Sequence, residues 1–328
     1  MRTHAPALIL IGALLASLTA CTAGPDVCEP LIPTGSSPAT VDATGEVGES
    51  PEVKFPTPLF SERAQQSVLV SGSGSGDIVP VGGIVDLEVS LFDGTTGEPI
   101  TATAYDEAQA PLRTTAGEPV EGATTPLFGK VMQCAEVGSR IAVTATIADV
   151  FGSGTLDPTL GLQDDSPVVA VIDVMQSYLG RATGTPQLGA QGVPAVVTSP
   201  SGVPGVSIPD TEAPSELRVH PLVTGDGQTV EEGDRVVLHY TGLLWDEKTV
   251  FDSSWDRGAA ATFTAASFED DPNGVVPGLA AGLIGQTIGS QVVVVIPPAD
   301  GYPEGQAPAS VPSGATMVFV VDVLGIEE

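Results

Sequence analysis

Apolar and polar positions along this chain fall into a few distinct patterns. One apolar run, Ala7–Leu18, follows a single positive charge at Arg2 and leads into small residues. It is shorter than the ~20 apolar residues a spanning helix needs, so residues 1–20 are expected to be a secretory signal peptide. Alternating runs such as Arg235-Val236-Val237-Leu238-His239-Tyr240 predict half-buried strands. The nearly continuous run Gln291–Ile296 predicts a buried one. Pro277–Gly285 is the best helix candidate, with proline in the first turn and Leu279, Leu283 and Ile284 on one face. So short a helix must bury its stripe on a sheet. Residues 21–50 and 179–203 are rich in Gly, Pro, Ser and Thr and lack apolar periodicity. They are expected to be a flexible tether and an interdomain linker, with mobility between the domains.

The strand and helix pattern occurs twice. Residues 79–92 (VPVGGIVDLEVSLF) align with 230–243 (VEEGDRVVLHYTGL), and 138–151 (GSRIAVTATIADVF) with 289–302 (GSQVVVVIPPADGY), both at an offset of 151. VVAVIDVMQ (168–176) then pairs with MVFVVDVLG (317–325) after a two-residue shift. A constant offset over so long a span indicates a duplicated domain. Pro204–Pro209 echoes Pro51–Pro56, which places the units at 51–178 and 204–328. The expected fold class is α+β, with two tandem domains, each a curved antiparallel sheet wrapped on a short helix. The glycine-serine run Ser71–Gly76 lacks the Lys-Ser/Thr ending of a phosphate loop and predicts a flexible turn.

Composition narrows the chemistry. The 328 residues carry 11 Lys+Arg against 41 Asp+Glu, a formal net charge of −30, which argues against nucleic-acid binding. The three histidines are His4, His220 and His239, the first within the expected signal peptide and the others in strand-like runs. A zinc site or a serine–histidine–acid apparatus is therefore not expected, and neither a metal nor a cofactor is assigned.

The sequence Leu18-Thr19-Ala20-Cys21 resembles the lipobox of bacterial lipoproteins. That resemblance implies cleavage before Cys21, lipidation of its sulfur, and an extracytoplasmic protein anchored to the cell membrane. Cys28 and Cys134 remain, and export would permit a disulfide between them.

Five motifs in the second unit occur in a fixed order: Val237–Gly242 (VLHYTG), Val250–Ser254 (VFDSS), Val275–Leu279 (VVPGL), Ile296–Tyr302 (IPPADGY) and Val311–Phe319 (VPSGATMVF). Together they resemble the FK506-binding-protein (FKBP) type of peptidyl-prolyl cis-trans isomerase. The resemblance implies a shallow apolar pocket for a prolyl ring, lined by Tyr240, Phe251, Val275, Val276, Tyr302 and Phe319, with Asp252 at its edge. It further implies that the Val276 amide and the Tyr302 phenol donate to substrate carbonyls, and that Arg257 pairs with the aspartate. Leu279 stands where the family usually has a tryptophan at the pocket floor, and Ala261 and Ala307 replace two more family side chains. The resemblance allows macrolide binding, with an affinity that these replacements are expected to lower. Trp255 is a candidate to restore lost aromatic surface. The substrates implied are Xaa-Pro segments of exported polypeptides. The alternative is a proline-binding chaperone or surface module with little turnover.

At the offset of 151, Tyr240, Phe251, Asp252, Val275, Val276 and Tyr302 correspond to Val89, Ile100, Thr101, Thr124, Thr125 and Phe151. The first unit is therefore expected to be a degenerate copy without isomerase activity.

Overall fold

The computed structural model describes residues 28–72, 78–106, 109–119, 124–154, 161–302 and 305–327. The expected signal peptide, Cys21 and most of the Ser71–Gly76 run lie outside the described residues.

The first unit contains β1 (Asp42–Thr44), β2 (Glu52–Lys54), β3 (Gln65–Val70), β4 (Ile84–Asp93), β5 (Pro99–Ala102), β6 (Leu112–Thr115), α1 (Pro126–Met132), β7 (Arg140–Thr146), α2 (Ile147–Phe151) and β8 (Pro167–Tyr178). Short strands β9 (Thr185–Pro186), β10 (Ala195–Thr198) and β11 (Pro204–Ser207) follow. The second unit continues with β12 (Arg218–Thr224), β13 (Arg235–Leu244), β14 (Val250–Ser253), β15 (Ala261–Ser267), β16 (Gly274–Val275), α3 (Pro277–Leu283), β17 (Gln291–Ile296) and β18 (Met317–Ile326).

The duplication read from sequence is a duplication of topology. The first sheet runs β3-β7-β8-β4, with β5 and β6 both pairing β4. The second runs β12-β17-β18-β13, with β14 and β15 both pairing β13. The irregularities repeat as well. A register shift between Asp86 and Leu87 against β8 matches one between Val237 and Leu238 against β18. Another between Leu91 and Phe92 matches one between Gly242 and Leu243. Bulges bend a strand and raise its local twist, so shared bulges give the two sheets the same curl.

Helices α1 and α3 occupy the same place in the two units, and each buries its apolar side in the concave face of its sheet. Leu279 and Leu283 are buried as expected. Ile284 is not on that face, because the helix stops at Leu283, two residues short of the expected end. Ile284 already has extended backbone and is 38% exposed. The close seat of α3 on the sheet depends on Gly282. A Cβ there would lie 2.5 Å from the side chain of Val294, so any larger residue would push the helix off β17.

The segments expected to be tether and linker are instead built into the fold. Ile32 enters the first core, and β1 pairs with β2. Val41, Ala43, Val53 and Phe55 cover Ala142, Val169 and Val171 on the convex face of the first sheet. In the second unit, β10 pairs with β11, and Val196, Val206 and Ile208 cover Leu243, Val293, Val295, Val318 and Val320. The reason is physical. A sheet with a helix on one face still has an apolar opposite face, and each preceding hairpin covers it. Their two-residue alternation spans only three or four positions, too few to emerge from a Gly- and Pro-rich background. Each folding unit is thus longer at its N-terminal end than the repeat alone indicates.

The structure joins Cys28 to Cys134, with 5.6 Å between their Cα atoms, and so fastens the N-terminal segment just beyond α1.

The two units are also in direct contact, which linker composition alone does not indicate. Ile84, Tyr178, Val237 and Leu324 form a shared apolar cluster. The Leu179 amide donates to the Leu324 carbonyl at 3.1 Å. The Arg113 guanidinium bonds both carboxylate oxygens of Asp86 within the first unit, at 2.6 and 2.7 Å. It also reaches Glu327 and Thr262 of the second, each at 2.8 Å. Apolar contact beside a multiply bonded cation turns a connection into an interface.

Candidate functional site

Strand β13 carries the centre of the site. Side chains alternate between the faces of a strand, so neighbours Tyr240 and His239 point in opposite directions. Tyr240 faces the core that α3 covers. There its ring lies 5.1 Å from Phe263 and 6.0 Å from Phe319, centroid to centroid, and Phe251 meets Phe319 edge-on at 5.6 Å. Val276 and Leu279, from the start of α3, are buried in the same cluster, with Val275 and Tyr302 half-buried at its margin. The structure therefore brings together Tyr240, Phe251, Val275, Val276, Leu279, Tyr302 and Phe319. It places Ala261 and Ala307 in the same wall, where they contribute little area.

Gly242 has a packing role that the sequence motif alone did not reveal. A Cβ on it would stand 2.7 Å from the Phe251 ring, so glycine lets that ring lie flat across β13.

A polar cluster closes the rim. The Tyr240 hydroxyl donates to Oδ2 of Asp252, and Arg257 pairs with Oδ1 of the same carboxylate. Arg257 also donates to the Tyr240 hydroxyl at 2.9 Å, with its guanidinium carbon 5.4 Å from the centre of that ring. Burial, with Asp252 as acceptor, pushes the Tyr240 phenol up to about 12, so it remains a protonated donor at neutral pH. Asp252 is thereby occupied in orienting Tyr240 and Arg257.

Two donors are left over. Among the described residues, the Val276 amide, at the N-cap of α3, and the Tyr302 hydroxyl have no acceptor within the chain. Burial, and next the nearby Asp252 charge, raise the Tyr302 phenol and keep it a donor. The site thus consists of an aromatic and aliphatic depression with two free hydrogen-bond donors at its edge. Among the described residues it holds no nucleophile paired with a base, and no group of three metal-ligating side chains lies together.

Trp255 does not belong to this depression, which corrects the expectation that it replaces lost pocket aromatics. It stacks on His239 at 3.8 Å, on the other side of β13. Strand alternation dictates this, since its partner His239 faces away from Tyr240. Burial holds His239 down to about 4, so it is neutral, with Nδ1 2.8 Å from the Ser254 hydroxyl oxygen. That oxygen also accepts the Tyr240 amide at 2.8 Å. Ser254 therefore ties the loop after β14 to the backbone of the central tyrosine. The sequence contained this residue within a motif but gave no sign of its role.

The corresponding region of the first unit is filled. Val89 is buried in the core, with Ile100 and Phe151 packed against it. The rim cluster has no counterpart there. At the offset of 151, Val89, Thr101 and Asp106 stand in place of Tyr240, Asp252 and Arg257, so the phenol, the acid and the cation are all replaced.

Comparison with known proteins agrees with this geometry. A family model described as FKBP-type peptidyl-prolyl cis-trans isomerase matches residues 226–324. A probable FK506-binding protein of Corynebacterium glutamicum is 33% identical over 122 residues, covering 37% of this chain and 96% of that protein. The FKBP-type 22 kDa peptidyl-prolyl cis-trans isomerase of Escherichia coli is 30% identical over 214 residues, covering 62% of this chain and 99% of that protein. The peptidyl-prolyl cis-trans isomerase Fkbp12 of Drosophila melanogaster is 33% identical over 112 residues, covering 34% of this chain and 98% of that protein.

Proposed function

This chain belongs to the FKBP-type peptidyl-prolyl cis-trans isomerase family, and from that membership we propose that its second unit isomerises Xaa-Pro bonds of exported polypeptides at the outer face of the cell membrane. The observation that carries the catalytic part is the aromatic depression around Tyr240, Phe251 and Phe319, bordered by the free donors of Val276 and Tyr302.

The chemistry needs little else. Rotation about a peptide bond must break amide resonance, a barrier of about 18–20 kcal/mol. Resonance places negative charge on oxygen, and an apolar surrounding disfavours that separation relative to the twisted amide. The Val276 amide and the Tyr302 phenol then hold the carbonyls flanking the proline. Donors that fit the twisted peptide better than the planar one lower the barrier by differential binding. Xaa-Pro bonds are the substrates because only there is the cis form appreciably populated, and unaided exchange takes about tens to hundreds of seconds.

The extracytoplasmic part rests on the apolar run before Cys21 and its lipobox-like ending. The Cys28–Cys134 disulfide supports it, because such bonds persist in oxidising compartments. In this reading, Cys21 carries the lipid and the first unit is a non-catalytic partner. A proline-binding chaperone with slow turnover is the second reading, and Leu279 and Ala261 favour it because they offer less contact area than aromatic residues.

Exchange spectroscopy by NMR on an Xaa-Pro tetrapeptide tests catalysis. The wild-type chain should accelerate exchange, and Asp252→Ala should abolish most of that effect while the protein stays folded. A folded wild type giving only the uncatalysed rate removes the enzyme reading for this chain and favours the chaperone. Mass analysis of protein extracted from membranes tests the anchor. The reading requires a diacylglyceryl adduct on Cys21 that Cys21→Ala lacks.

A further inference from the structure

A cleft of about 360 Å³ lies between the two units, within the size range of ligand sites. One wall is the loop of the second unit that contains Arg257 and Ala259. Arg257 is the residue that holds Asp252 and Tyr240 at the rim of the prolyl depression, so the cleft begins where that depression ends. The opposite wall comes from the first unit and includes Thr114, Thr115, Thr124 and Thr125.

The origin of this wall is informative. Thr124 and Thr125 stand at the offset of 151 from Val275 and Val276, the pocket edge of the second unit. The first unit has therefore exchanged two apolar rim residues for hydroxyl-bearing ones, and these face the neighbouring domain. Among the described residues, none of the four threonine hydroxyls has a hydrogen-bond partner within the chain. The charges around the cleft are committed. Arg113 is bound by Asp86 and Glu327, Arg257 by Asp252, and Glu118 lies 3.1 Å from Lys130. No unpaired cation among them invites an anion. Neutral hydroxyls in a groove of this kind match the alternating carbonyl and amide groups of an extended peptide backbone.

We propose that this interdomain cleft is a second subsite for the polypeptide substrate, in which an extended, uncharged stretch of chain next to the isomerised Xaa-Pro bond passes over Arg257 and is held by the threonine wall of the first unit. The proposal rests on the isomerase reading of the second unit. It gives the first unit a function that needs no catalytic residues, namely retention of long substrates.

Two exposed positions allow the cleft to be filled from either wall without touching the prolyl site: Thr124→Trp from the first unit and Ala259→Trp from the second. Each full-length variant is to be assayed on an Xaa-Pro tetrapeptide and on the prolyl-limited refolding of a reduced, carboxymethylated protein. A tetrapeptide seated in the prolyl depression cannot span the cleft to the threonine wall, so its rate should be unchanged. Refolding catalysis should fall about tenfold in each variant, through KM rather than kcat, as expected when uniform binding is lost. Equal rates on the unfolded protein in wild type and both variants overturn the proposal, as do equal losses on both substrates. Fluorescence anisotropy with a labelled, permanently unfolded polypeptide separates this outcome from failure of the isomerase reading. If wild type leaves the tetrapeptide at its uncatalysed rate, that reading falls, while about tenfold weaker polypeptide binding in both variants still supports the cleft. Unchanged binding in both contradicts it.

Discussion

Arg140 and Asp173 meet at 2.6 Å in the first sheet with both side chains fully buried. Arg140 also donates to the carbonyls of Gly45, Glu46 and Glu49, and Asp173 accepts the Gly48 amide at 2.7 Å. One ion pair thus holds the turn of the β1–β2 hairpin against the sheet. The corresponding positions of the second unit are Gln291 and Asp322, joined at 2.6 Å. Asp322 in turn accepts the Ala182 amide at 2.8 Å. In both units a buried aspartate fastens the segment that precedes the domain. Only the first uses a full cation to do so.

Breaking the charged version should be costly. Arg140→Met leaves Asp173 buried without its counter-charge, and loss of one partner of such a pair typically costs about 3–5 kcal/mol. Urea denaturation of the full chain should show that loss, with tetrapeptide catalysis preserved in the folded protein. A change below about 1 kcal/mol would mean that the hairpin does not depend on the pair.

The disulfide should matter to stability and not to chemistry. Cys28 and Cys134 are 106 residues apart, and removing a native bridge from a small domain typically costs about 2–5 kcal/mol. Reduction followed by alkylation should lower the urea midpoint of the first unit by a corresponding amount. Tetrapeptide exchange should be unaffected, because the bridge lies outside the second unit.

Acid should act on two buried groups in opposite directions. His239 is held down to about 4 by burial, below its unfolded value of about 6.5. The unfolded chain therefore takes up that proton first, and stability from this group is lost as pH falls from about 6.5 to 4. Asp322 is pushed up to about 6 by burial. The folded state binds that proton first, so stability from Asp322 is gained as pH falls from about 6 to 4. His239→Gln removes the first effect alone. Relative to wild type, this variant should gain stability on acidification from about pH 7 to 5, as read by urea midpoints. Parallel pH profiles for the two proteins would contradict the assignment.

Trp255 offers a test of what lies inside the pocket and what lies behind it. Trp255→Leu removes the ring stacked on His239, an interaction worth about 0.5–1.5 kcal/mol beyond area burial. Stability should fall, and the His239 titration followed by NMR should move up toward its ordinary value as water gains access. KM for the tetrapeptide should not change. A rise in KM without loss of stability would place Trp255 in contact with substrate.

Much of this architecture could be read from the sequence, for identifiable reasons. The repeat at 151 preserved glycines, strand patterns and helix position together, so the duplicated topology was legible. The five ordered motifs single out Tyr240, Phe251, Asp252, Val276, Tyr302 and Phe319, which the fold gathers in one region. The two hairpins were missed because strands of three or four residues leave almost no periodic signal, and their contacts are long-range. Trp255 lies behind the pocket despite its sequence proximity to Asp252, because that proximity does not fix which face of the sheet a loop residue covers. The hydroxyl wall of the cleft was invisible for a related reason. In sequence Thr124 and Thr125 read as simple losses, because nothing local indicates that the second unit lies opposite them.

Tetrapeptide exchange by NMR with the full-length Tyr302→Phe protein decides whether the aromatic depression is where catalysis occurs. The substitution removes one free donor and leaves the ring, the fold and the first unit in place. The expected result is a loss of about tenfold or more in kcat/KM, largely in kcat, in line with the loss of a donor that acts on the transition state. Catalysis at the wild-type rate would contradict this assignment and move the activity away from the depression between Tyr240 and Tyr302.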